Sequence, residues 1–223
     1  MKNILFALAI TISVIATAAT PSVKFIGWNR TAAEYKAQLA DGNAIASYRA
    51  YCAYKIAAIE APETVKDIAS IEAIIRNSLK SLNAKRQDDD TVRNLVISCI
   101  SGDTRKDLIP ALLSDPAYAS HDQTIVTIKA YRAKALGIVQ TDAERKAVLA
   151  DAMQPALARK NVYLATRFLT EYIELTTGDK DEDVLPVLRK LYRYALPKLE
   201  DESYKPFIVK LSLALKSRGE NVQ

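Results

Sequence analysis

Apolar residues recur every three or four positions along most of the chain, and no stretch sustains the two-residue alternation of a half-buried strand, so the pattern predicts an all-α protein. The clearest case is 107–137. Its first half is a short apolar helix carrying Pro110. Its second half spaces Ile125, Ile128, Tyr131, Ala135 and Val139 as one buried stripe, with Asp122 as N-cap and Gly137 near the end, where a left-handed residue is commonly needed. The two halves read as one antiparallel helix pair. Upstream, a brief helix over 31–39 precedes one capped by Asn43, with Ile45, Tyr48, Cys52, Ile56 and Ile59 on one face and Pro62 ending it. A helix over 63–85 carries Val65, Ile68, Ile75, Leu79 and Leu82, and after 87–90 another aligns Val92, Leu95, Val96, Cys99 and Ile100. Downstream, helices are predicted over 142–158 with Pro155 as a kink, 161–176, 183–196 and 204–217; Thr141 with Glu144 forms a capping box.

The pattern also recurs at longer range. Gly137, Gly178 and Gly219 follow one another at intervals of 41 residues, each closing an amphipathic segment. Ten residues before them stand Thr127, Phe168 and Val209; six before them stand Tyr131, Tyr172 and Leu213. A proline followed two residues later by leucine recurs as Pro110 with Leu112, Pro155 with Leu157, Pro186 with Leu188 and Pro197 with Leu199. These spacings define repeats over 97–137, 138–178 and 179–219, and an architecture of stacked antiparallel helix pairs, either a short α-solenoid or an irregular helical bundle. Over 108–219 the chain resembles HEAT-type helical repeats, carried by the LIPALLSDP segment and the TIVTIKAYRAKALG helix after it. Asp115 fills the acidic turn position of such units, although no arginine sits early in the helix of Ile125. The resemblance implies a scaffold or binding solenoid rather than an enzyme.

The first nineteen residues have a different character. One early lysine, the run ILFALAITISVIATA and the small residues Ala16, Ala18 and Ala19 match a secretory signal, with cleavage expected after Ala18 or Ala19 and no transmembrane anchor after processing. Residues 20–30, with Trp28, read as an N-terminal arm packing back on a single helical domain over 31–223. Export to a secreted or periplasmic location makes a disulfide between Cys52 and Cys99 the expected state of the two cysteines, since both lie on apolar stripes of neighbouring helices.

Composition adds little chemistry. The 31 basic and 26 acidic residues leave a net charge of +5. The densest basic patch is Arg189, Lys190 and Arg193, interleaved with Tyr192 and Tyr194 and followed by Lys198. If Val184, Leu185, Leu188, Leu191 and Ala195 form the buried face, these cations begin the opposite side and would draw an acidic partner. A lone histidine, His121, builds neither a catalytic relay nor a metal site and reads as a turn residue. Asp179, Asp181 and Asp183 open like an EF-hand loop, but Val184 and Lys190 stand where its glycine and glutamate belong, so these acids read as helix N-terminal charges, as do Asp88, Asp89 and Asp90. Glu171 and Glu174 share a helix face without a catalytic motif around them. Neither a metal nor a cofactor is expected. The reading that follows is an exported, non-enzymatic interaction or scaffold module presenting a helical surface to a protein or cell-envelope partner, with nucleic acid excluded by location. The alternatives are a small carboxylate-dependent hydrolase and a binder of anionic surface polymers.

Overall fold

The computed structural model describes residues 30–102, 105–138 and 141–222. The secretory signal, Trp28 with the rest of the arm to residue 29, and Val139 lie outside the described residues. Regular structure among the described residues is helical, with no strand, as the periodicity predicts. By its internal contacts the chain divides into two compact units, Met1–Ser114 and Asp115–Gln223, where the sequence reads as one domain over 31–223. The division falls where Asp115 caps a new helix with Pro116 at its first position, a local restart of the chain.

The first unit is a series of antiparallel neighbours: α1 (Ala32–Ala40), α2 (Ala46–Glu60), α3 (Ile68–Ser81), α4 (Asp89–Gly102) and the short α5 (Ile109–Ser114), with a 3₁₀ turn at Pro62–Val65. Helix α1 packs on α2, α2 on α3 and α3 on α4, and α2 also touches α4. Thr31 and Asp67 start α1 and α3 with capping boxes, in which the side chain of Glu34 or Ser70 reaches back to the cap N–H. The expected stripe of α2 is rotated. Cys52 and Ile56 are buried as expected, but Ile45 and Ile59 are exposed, and the core takes Ala50, Tyr51, Tyr54 and Ala57 in their place. Three aromatic rings here pack on one another, Tyr51 lying 6.5 Å from Tyr35 and 6.3 Å from Tyr54, so the larger surfaces decide which face turns inward.

The second unit comprises α6 (Pro116–Ala119), α7 (Thr124–Arg132), α8 (Asp142–Ala158), α9 (Val162–Leu175), α10 (Asp181–Ala195) and α11 (Lys205–Lys216), with 3₁₀ turns at Leu196–Lys198 and Glu202–Tyr204. The last four begin and end within two residues of the predicted bounds, and the capping box of Thr141 with Glu144 forms. Pro155 sits inside α8 without ending it. Helix α8 packs on α9 and α10 on α11; α10 then lies on α8, and α11 on α9. The buried positions of the two hairpins match at a fixed displacement: Leu149, Ala152, Met153 and Ala156 of α8 correspond to Leu188, Leu191, Tyr192 and Ala195 of α10, each 39 residues on. Ala165, Phe168, Leu169 and Tyr172 of α9 correspond in the same way to Tyr204, Phe207, Ile208 and Leu211, the first just ahead of α11 and the others within it. One packing pattern therefore serves both pairs, although the glycines are 41 residues apart. Gly137, Gly178 and Gly219 all adopt positive φ (+71°, +88° and +81°), a region in which a side chain is strained. The turns at Gly137 and Gly219 share one hydrogen-bond pattern, Ile138 N to Ala133 O and Glu220 N to Leu215 O, which satisfies a terminal carbonyl five residues back. At Gly178 that bond is replaced by Asp179 N to Thr176 O.

Helix α7 departs most from expectation. It winds as a π-helix over nine residues, so each turn takes one residue more than an α turn. The spacing-of-three stripe is therefore lost. Thr124, Ile128 and Ala133 are buried along one line and Val126 and Ala130 along another, while Ile125 is only partly covered and Tyr131 and Ala135 are exposed. The hydroxyl of Thr124 is buried at the start of this helix with no hydrogen-bond partner.

Candidate functional site

The face predicted for α10 forms as expected: Val184, Leu185, Leu188, Leu191 and Ala195 are all buried, and Arg189, Lys190 and Arg193 are exposed. The strip itself is partly consumed by the protein. Arg189 makes a two-pronged pair with Glu220, Nη2 to Oε1 at 2.6 Å and Nε to Oε2 at 3.1 Å; the shared hydrogen bonds push the guanidinium up and the carboxyl down from their ordinary pKa values. Tyr192 is buried, because it falls one turn beyond Leu188 on the inward arc, so it does not belong to an exposed surface. Tyr194 is half-buried beneath the Lys198 ammonium, which sits 3.5 Å from its ring centroid. Lys190 and Arg193 are left without an ion pair among the described residues.

A different cluster is assembled on α7 and α9. Tyr163, in the first turn of α9, is 74% exposed, and Arg167 follows four residues later on the same face. The π winding of α7 turns Tyr131 outward beside that arginine, 48% exposed. The guanidinium carbon of Arg167 lies 5.4 Å from the Tyr131 ring centroid and 6.0 Å from that of Tyr163, so two aromatic rings share one cation. Arg167 makes no ion pair among the described residues. The Tyr163 and Arg167 spacing was legible in the sequence as a helical i, i+4 pair; Tyr131 was not, since α-helical periodicity assigns it to the core.

Of the two carboxylates that the sequence pairs on α9, Glu171 is held by a cation and Glu174 is not. Arg145 binds both oxygens of Glu171, at 2.7 and 2.8 Å, and donates from Nη1 to Ala130 O at 2.7 Å, tying α8 to α9 and to the end of α7. Glu171 is thereby separated in role from Glu174, whose side chain is exposed. Lys146 pairs with Asp179 at 2.6 Å, and Arg218 binds Asp181 at 2.6 Å as well as the carbonyl of Thr176 at 2.8 Å. A cleft of about 340 Å³ between α9, α10 and α11 is lined by Thr176, Asp181, Leu188, Ala214 and Arg218, and its charged groups are these same paired ones. No group of three or more His, Cys, Asp or Glu side chains among the described residues is placed to hold a metal ion. His121 sits in its turn, with Nδ1 accepting the Gln123 N–H at 3.1 Å.

The bridge expected between Cys52 and Cys99 is not formed: both are buried thiols outside any disulfide. Burial pushes the Cys52 thiol up to about 11, against a hydrogen bond from Tyr48 that acts the other way. A thiol so placed stays protonated at neutral pH, and disulfide chemistry requires the thiolate. No helix among the described residues is long and apolar enough to cross a membrane. No protein-family model, curated protein or solved structure matches the chain.

Proposed function

We propose that the protein is an exported, non-enzymatic interaction module whose second unit presents a helical surface to a protein or cell-envelope partner. The observation that carries this reading is the Tyr131, Arg167 and Tyr163 cluster. Tyrosine and arginine are the residue types that concentrate binding energy at protein interfaces, because they offer large rigid area with a polar end. Two such rings left outside, near a cation that makes no ion pair among the described residues, have no role in the core of their own unit. The HEAT-type likeness belongs to the same proposal. It draws support from two stacked hairpins sharing one pattern of buried positions, each with a proline in its first helix.

The test is site-specific photo-crosslinking in the native compartment, with a benzophenone amino acid placed at position 163 or, as a control, at the exposed Glu182 of α10. A discrete adduct from position 163 and none from 182 is the expected result. Equal labelling at both positions, or none at either, overturns the proposal.

A further inference from the structure

We infer that the Tyr131, Arg167 and Tyr163 surface receives a peptide segment of mixed charge, with a carboxylate seated on Arg167 and a basic residue about 10 Å farther along. This rests on the interaction-module reading and gives it a partner chemistry. A guanidinium is flat, and its donors lie in its plane. Two tyrosine ring centroids lie 5.4 and 6.0 Å from the Arg167 guanidinium carbon, and the guanidinium makes no ion pair among the described residues, so its N–H groups are open to an approaching ligand. A carboxylate matches that edge with two parallel hydrogen bonds. The rings also restrict the long side chain before binding, which lowers the ordering cost that an exposed arginine otherwise carries. The tyrosine surfaces left exposed then accept the apolar neighbours of the carboxylate.

The charge pattern along α9 selects the kind of partner. One turn beyond Arg167, Lys210 of α11 donates to Thr170 Oγ1 at 2.6 Å and adds a second cation. Another turn on stands Glu174, exposed and without an ion pair among the described residues. Glu174 is seven residues from Arg167, which at 1.5 Å per residue is about 10 Å along the same face. A uniform polyanion, whether an acidic polysaccharide or an anionic lipid surface, would gain at Arg167 and Lys210 and be repelled at Glu174. A peptide carrying an acid and a base matches both ends. In extended conformation a 10 Å separation is about three residues.

Panning a random dodecapeptide phage library on the full chain tests this directly. The expected consensus has Asp or Glu beside an apolar residue, with Lys or Arg about three positions away. Arg167→Gln, shown by circular dichroism to remain helical, should weaken the selected peptide about tenfold, the loss expected for one charge-assisted contact. Glu174→Lys provides a readout that mere structural damage would not give, since the basic position should vanish from the consensus while the acidic one stays. A uniformly acidic consensus on the unaltered chain, no consensus at all, or an unchanged one on Arg167→Gln overturns the inference. A specific crosslink at position 163 together with any of these results would leave the module standing and remove only its assignment to a mixed-charge peptide.

Discussion

The two units use tyrosine in opposite ways. In the first, Tyr35, Tyr51 and Tyr54 are buried with their rings in contact, and Lys55 lies 5.6 Å from the Tyr35 centroid at the edge of the group. In the second, Tyr131 and Tyr163 are exposed with one arginine near both. The residue types and the cation–ring spacing are alike, so neither separates a core cluster from a surface one. Position on the helix does. Tyr51 and Tyr54 of α2 are three apart and share a face with Ala50 and Ala57, small residues that let neighbouring helices approach. Tyr163 and Arg167 share theirs with Thr170 and Glu174, which have no apolar neighbour to cover.

The comparison breaks most visibly at Tyr54. It is fully buried, and Tyr54→Ala removes a ring from the centre of the packed group, which should destabilise the first unit by about 3–5 kcal/mol. Hydrogen exchange in α1 to α4 should rise accordingly. Protection unchanged from the parent protein would mean that the ring group is not a core and that the contrast between the units is false.

The contrast was only partly legible in the sequence, and the reason is specific. Helices α8 to α11 were readable to within two residues because Thr141 and Asn161 supply real caps, Gly178 and Gly219 real left-handed ends, and α10 a regular inward face. Tyr131 was misassigned because a spacing of three marks one face only while the helix keeps α winding. Arg189 was overvalued because its partner Glu220 lies 31 residues away, and no local pattern announces such a pair. The π winding itself leaves a trace that can be tested. Thr124 is a hydroxyl-bearing residue, fully buried and without a partner, so Thr124→Val keeps the shape and removes the unsatisfied group. The variant should be more stable by about 1 kcal/mol, raising the melting temperature by a few degrees. A loss of stability would show that the hydroxyl is bonded, and the winding that turns Tyr131 outward would lose its clearest mark.

The smallest expected effect sharpens the comparison most. Tyr163 is 74% exposed, and its contact with Arg167 is a cation–ring interaction in water, worth about 0.5–1 kcal/mol at an exposed site. Tyr163→Ala should therefore lower stability by no more than that, several times less than Tyr54→Ala, although both remove the same side chain. Urea unfolding of the two variants side by side measures the difference, and adding Arg167→Gln to Tyr163→Ala should cost only what the remaining contact with Tyr131 supplies, again about 0.5–1 kcal/mol. A loss of several kcal/mol at Tyr163 would place that ring in the fold's own packing. A loss near zero, joined to weakened peptide binding, would mean that the residue is retained for what it touches outside the molecule.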